Sequence, residues 1–297
     1  MEELKPDFVD IARENIQYSF SVKEDNDGNI VVGEIHVNPK GLSEEERQEQ
    51  TKLLEEQPED TLFVVEYNTF KNKRYVQIGG VEDTLMGRTI QFAQEKDRNL
   101  IFMDDENGTE DDQWWKSNAS WYALWQRMGS TISREDFFYM RTVVQIMDTL
   151  TRDPKGAEEY IQKALEYTMR NQELSVIEKS TLLNAIKGTI TGLEQGGLKK
   201  MNEAVMTFIN YDGRIRDRYY QEKIVYIKKA NPGKKIFAVF GKNHQETILE
   251  ALNNPNGSSN TQPQNEAKMH WTISELKEYS NAQKELSKEE IEEKAKE

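Results

Sequence analysis

Short runs of consecutive apolar residues interrupt a chain that is otherwise polar and spaced like helix. Four of these runs, rich in Val, Ile and Phe, predict strands: Asn29 to Val32, Thr61 to Glu66, Asn99 to Met103 and Lys235 to Phe240. Helical spacing separates them. Ser43 to Gln57 opens with Ser-x-x-Glu (Ser43, Glu46), a capping box. Thr84 to Lys96 is a second helix, and Arg214 to Lys229 a third, stopped by Asn231-Pro232-Gly233. Strands alternating with helices predict an α/β fold, a largely parallel central sheet flanked by helices.

From Asp111 to Met206 the strand signal vanishes. An all-helical insertion or cap is therefore expected between the third and fourth predicted strands. The expected division is an α/β core of residues 1–110 and 207–280, a helical insertion over 111–206, and a charged tail over 281–297. Trp114, Trp121 and Trp125 share one face at i, i+7 and i+11, either packing on the core or walling a substrate pocket. Met269 to Ile273 is read as a short additional strand.

Composition narrows the chemistry. The chain of 297 residues is long enough for a full core, and a formal charge of −14 opposes nucleic-acid backbones. With no cysteine, thiol nucleophiles, Cys-ligated zinc, iron–sulfur clusters and disulfides are excluded. No segment approaches the roughly 20 apolar residues that span a bilayer, and Met1 to Asp10 is unlike a signal peptide. The expectation is a cytoplasmic protein that engages neither membrane nor nucleic acid; its oligomeric state is not encoded.

In a parallel α/β sheet ligands sit at the carboxyl ends of the strands. Here those ends carry one kind of chemistry. The first strand runs into Glu34 and His36, the second ends on Glu66, the third on Asp104 and Asp105, and the fourth runs into His244. Two of the three histidines lie in Gly-x-x-His segments after an apolar run, Gly33 to His36 and Gly241 to His244. Glycine there is expected to let the backbone turn sharply. The histidines either line a polar site or cap the helices that follow. On the third helix Tyr220, Ile224 and Ile227 form an apolar stripe. Arg216 and Asp217 lie near its centre, where they pair with each other, pair with Glu66 or orient a substrate anion.

These residues resemble the superfamily that joins erythromycin esterases, ChaN haem-binding proteins and TraB/Tiki metalloprotease-like proteins. The matching strings are Val31-Val32-Gly33-Glu34-Ile35-His36, Leu62-Phe63-Val64-Val65-Glu66, the Arg216-Asp217 helix, and the strand Lys235 to Phe240 followed by Gly241-Lys242-Asn243-His244. The ordered set spans roughly Asn29 to Leu252, and Tyr220-Gln221 stands where the esterases tend to have Met-Ala. The resemblance implies a hydrolase of ester or peptide bonds acting on a small-molecule or peptide substrate. His36 or His244 would be the general base, with Glu66 orienting or assisting it and Arg216 stabilising the developing oxyanion or holding a substrate carboxylate; Glu34 and Asp217 complete the catalytic set. A metal-assisted version would use His36, Glu66 and His244 as ligands to Zn, Mn or Co. The alternatives are a ChaN-like haem- or metal-binding protein without turnover, or a non-catalytic scaffold of the same fold.

Overall fold

The computed structural model describes residues 18–35, 41–67, 84–104, 114–152, scattered positions from 161 to 170, 175–194, 198–256 and 266–277. The fold is mixed α/β. The chain divides into two compact units, one of residues 12–124 and 215–262 and one of 1–11, 125–214 and 263–297. The first holds every described strand.

Five strands form one sheet: β1 (Phe20–Glu24), β2 (Ile30–Glu34), β3 (Leu62–Val65), β4 (Asn99–Phe102) and β5 (Ile236–Gly241), in the order β1-β2-β5-β3-β4. β2, β5, β3 and β4 run parallel, and β1 is antiparallel to β2. The last strand in sequence thus lies between the second and third, and the expected parallel arrangement is found. It has one addition, the edge strand β1. The turn into β2 is built by Asp25, whose carboxylate accepts from the backbone N–H of Asp27 at 2.9 Å and of Asn29 at 2.7 Å. Gly28 takes φ 78° there, a left-handed conformation that favours glycine.

Around the sheet, α1 (Glu44–Glu55) begins at Ser43, and its capping box with Glu46 is formed in full. α2 (Leu85–Glu95) has Thr84 as N-cap and buries Leu85, Met86, Thr89, Ile90 and Ala93. Its residues and Leu54 of α1 pack on Val32, Phe63, Val65, Phe237 and Val239. Because side chains alternate across a strand, Val31, Val64, Ala238 and Phe240 face the other way, and they too are fully buried. On that side the Tyr220 ring meets Phe240 at 5.2 Å. A sheet covered on both faces needs continuous apolar strands, which is the pattern the sequence displays.

The remaining helices are α3 (Trp114–Arg127), α4 (Arg134–Arg152), α5 (Val176–Glu194), α6 (Leu198–Ala230), α7 (Gln245–Asn253) and α8 (266–277). α6 is 33 residues long and begins at Leu198, continuing through Gly213 into the helix that the sequence reading began at Arg214. Among the described residues, every regular element between β4 and β5 is a helix. The second unit draws its core from them: Trp125 lies 4.8 Å from Phe137, 5.2 Å from Phe208 and 4.9 Å from Tyr211, ring to ring. Its Nε1 donates to Asp212 at 2.7 Å.

The segment expected to be a strand, Met269 to Ile273, is instead part of α8. Its buried residues Met269, Ile273 and Leu276 recur at helical spacing. The unit boundaries also differ from the expected ones. α8 groups with the helices rather than the α/β core, since Glu266 bonds Ser130 and Tyr211, and Tyr139 donates to the Leu276 carbonyl. Asp105, the 281–297 tail and most of 153–174 lie outside the described residues. Among those described, no helix is long and apolar enough to cross a membrane.

Candidate functional site

Parallel pairing places the carboxyl ends of β2, β5, β3 and β4 on one edge of the sheet. The first residue after β3 is Glu66, 8 % exposed, whose backbone N–H continues the ladder to Val239 at 2.9 Å. Its carboxylate is thereby fixed over the end of β5. Oε2 accepts the Gly241 N–H at 2.6 Å, and Oε1 accepts from Arg216 Nη2 at 2.5 Å. A buried carboxylate demands such partners, and a charged donor gives the strongest of them.

β5 leads through a single 3-10 turn, Lys242–His244, that brings the His244 ring back toward this edge. The ring is buried. Nδ1 lies 2.6 Å from Asp217 Oδ1, and Nε2 lies 3.6 Å from Glu66 Oε1. A carboxylate accepts, so Nδ1 carries a proton, and in the neutral ring Nε2 is left with a lone pair. The ring stands edge-on to Tyr220, with centroids 5.2 Å apart and planes at 88°.

α6 supplies the rest. Arg216, Asp217 and Tyr220 lie at i, i+1 and i+4, so one helix face presents a guanidinium, a carboxylate and a phenol to the sheet edge. Tyr220 is fully buried; its hydroxyl donates to Asp104 Oδ1 at 2.7 Å and accepts from Arg216 Nε at 3.0 Å. Arg216 Nη2 also reaches Asp104 Oδ2 at 3.4 Å. The guanidinium carbon sits 5.4 Å from the ring centroids of both Trp121 and Tyr220. The resulting chain of contacts runs Asp217, His244, Glu66, Arg216, Tyr220, Asp104. Solvent reaches it at the Arg216 and Asp217 side chains, 23 % and 27 % exposed.

Of the expected site residues, Glu66, His244, Arg216 and Asp217 converge, and the open choice for Arg216 resolves as a pair with Glu66. His36 lies outside the described residues. Glu34 is turned to another task. It is 1 % exposed and accepts the Leu85 and Met86 N–H groups at 2.9 and 3.0 Å, with the Tyr18 hydroxyl at 3.0 Å. A carboxylate at the first turn of α2 satisfies N–H groups that have no partner within the helix and meets the positive end of its dipole. The glycines also act otherwise than expected. Neither Gly33 nor Gly241 has a positive φ. Gly33 is needed for closeness, since a Cβ there would come within 2.9 Å of the Gln245 Cβ. Tyr220 and Asp104 are members that the sequence reading left out of the site; the strand-end position of Asp104 and the placement of Tyr220 four residues after Arg216 were the signals.

The metal reading can be tested on the donors. Among the described residues no group of three His, Asp or Glu side chains is suited to hold an ion. The Nε2–Oε1 separation would suit two ligands of one ion, but Oε1 already bonds a guanidinium, whose charge repels a cation. His36, the third expected ligand, lies outside the described residues, so the described part of the set offers a cation two donors, one of them shared with a guanidinium. Comparison of the chain with protein-family models, with curated proteins and with solved structures finds no match.

Proposed function

We propose that the chain is a hydrolase that activates water at His244 and Glu66, acting in the cytoplasm on an ester or amide of a small molecule or peptide. One observation carries the reading: Asp217 holds Nδ1 of a buried imidazole at 2.6 Å while Nε2 faces Glu66 Oε1 across 3.6 Å. That separation is too long for a direct hydrogen bond and too short for a water to lie between the two atoms, so the water is placed beside the pair, within reach of both and donating to both when the ring is neutral. His244 takes a proton from this water as its oxygen attacks the carbonyl carbon. Arg216, beside the same Glu66 oxygen, supplies positive charge for the oxyanion that develops. Collapse expels the leaving group, which receives the proton back from His244. Glu34 takes no step, being committed to α2. The reading agrees with the esterase side of the resemblance, which now rests on the residues alone.

The test is a screen of p-nitrophenyl esters and fluorogenic peptides with untagged protein, before and after chelation. Hydrolysis that survives chelation and is lost in His244→Ala is the expected result. A Soret band on adding haem, with no turnover of any probe, would sink the proposal in favour of a binding protein.

A further inference from the structure

Asp217 orients the imidazole, and the structure assigns an equivalent device to the guanidinium: Asp104 and Tyr220 are positioning residues that fix Arg216 against Glu66. A phenol has one proton to give and two lone pairs to receive. All three are used here. The proton goes to Asp104 Oδ1 at 2.7 Å, and the lone pairs accept from Arg216 Nε at 3.0 Å and Nη2 at 2.5 Å. Burial pushes the Tyr220 phenol well above its usual pKa; Arg216 draws it down, while Asp104 and Glu66 raise it. The hydroxyl therefore keeps its proton, which can only point at a carboxylate, and its lone pairs are left facing the guanidinium.

Geometry makes this more than one bond among many. An arginine side chain has about 2 kcal/mol of rotamer entropy to lose when it is held in one place. Bonds to both Nε and Nη2 fix the plane of the group as well as its position. The Trp121 and Tyr220 rings, each 5.4 Å from the guanidinium carbon, limit its movement out of that plane. Asp104 arrives from the end of β4 and Tyr220 from α6, so the guanidinium is referenced to both sheet and helix. Without this hold, Arg216 Nη2 would bond Glu66 Oε1 in only part of its rotamer population.

The experiment follows the Arg216 Nε–H signal in 15N-edited NMR, identified by its loss in Arg216→Lys. In the parent this proton is expected to exchange slowly. Tyr220→Phe keeps the ring and removes the hydroxyl, and should speed exchange about tenfold, the scale of one lost hydrogen bond. Asp104→Asn keeps the shape and should speed it by about threefold. Tyr219→Phe, which removes a neighbouring buried hydroxyl bonded to the Met103 carbonyl at 2.9 Å, should leave the signal unchanged. The last variant separates positioning from general loosening. Unchanged Arg216 exchange in both Tyr220→Phe and Asp104→Asn overturns the proposal, and either variant suffices if the other does not fold.

A second readout rests on the hydrolase reading: with a p-nitrophenyl ester, kcat should fall about 10- to 100-fold in Tyr220→Phe with KM within about twofold. A rise in KM at constant kcat would contradict the positioning role. If the parent hydrolyses no probe, the hydrolase reading fails, and the Arg216 signal still decides this one.

Discussion

Each unit of the chain contains a polar network, and the two are built on different principles. In the helical unit Glu266 Oε1 accepts from Ser130 Oγ at 3.2 Å, Thr131 N–H at 2.5 Å and the Tyr211 hydroxyl at 3.1 Å. One carboxylate is surrounded by neutral donors, joining α8 to the start of α4 and to α6. In the α/β unit, Glu66, Asp104 and Asp217 surround one guanidinium and one imidazole, and His244 Nε2 lies 3.6 Å from Glu66 Oε1. The first arrangement satisfies a single carboxylate with neutral donors. The second sets three carboxylates against one guanidinium and one imidazole, an imbalance of charge of the kind that clusters at functional sites. The imbalance, rather than the number of polar groups, distinguishes a candidate site from internal bracing.

The largest effect should come from opening that imbalance. His244→Ala should lower hydrolysis of a responsive ester by about 10²- to 10⁴-fold, the range spanned by loss of a general base. Asp217→Asn should approach it, because an amide can offer Nδ1 the wrong hydrogen-bonding partner. Thermal melting should move little in either. If activity is retained while melting drops, the α/β network is bracing too, and the distinction between the units collapses.

The opposite pattern is expected in the helical unit. Glu266→Ala removes the acceptor shared by three donors, one of them exposed, and should cost about 1–2 kcal/mol of stability. Hydrolysis at a temperature well below melting should be unchanged. A denaturant titration read beside the ester assay checks both halves. Loss of activity without loss of stability would place Glu266 in a functional role this comparison denies it.

How much of this contrast was legible in advance depended on whether the decisive partner was local. The parallel sheet and its strand ends were readable because β2, β3 and β5 are buried on both faces and therefore continuously apolar. β1 escaped notice because it pairs on one side only and is half exposed, so its apolar positions are few. Arg216 and Asp217 were legible as charges beside an apolar stripe on one helix. Glu34 was legible as a buried carboxylate at a strand end. Its partners are N–H groups of Leu85 and Met86, more than a strand and a helix away, so nothing local told a cap from a catalytic acid. Tyr220 read as ordinary core for a related reason: its ring does pack on Phe240, and only its hydroxyl belongs to the site. For α8 the difficulty was length, since Met269 to Ile273 alternates apolar and polar residues over only five positions, and Leu276, which completes the helical stripe, lies beyond them.

Acid should affect both units by the same mechanism but through different groups. Burial pushes the Glu266 carboxyl up, yet bonds from Thr131, Tyr211 and Ser130 outweigh it and hold the group below its ordinary 4.5. Asp25 behaves alike: burial raises it, while Asn29, the Asp27 N–H and Lys228 bring it below 3.8. For a carboxyl lowered on folding, the stabilisation is full above the unfolded value and is lost as pH falls through the folded one. Stability should therefore be flat above about pH 5 and decline below about pH 4, where unfolded chains take up protons first. Denaturant midpoints measured from pH 7 to pH 3 check this. Glu266→Gln should show a shallower decline than the parent, and an identical slope would mean that Glu266 is not held below its ordinary value.

The smallest expected effect is the most discriminating for the helical core. Trp125 is fully buried among Phe137, Phe208 and Tyr211, and its one polar atom donates to Asp212. Trp125→Phe keeps an aromatic ring but deletes the donor and part of the ring volume. Loss of the bond alone should cost about 0.5–1.5 kcal/mol, and the vacated volume adds to it. Asp212→Asn preserves an acceptor for the indole, so it should cost less than Trp125→Phe. When Trp125→Phe is combined instead with Asp212→Ala, which does remove the acceptor, the two costs should fall short of additive, because the shared bond can be lost only once. Full additivity would show that Asp212 is satisfied elsewhere. Trp125 would then be held by packing alone, and polar bracing in the helical unit would reduce to the Glu266 cluster.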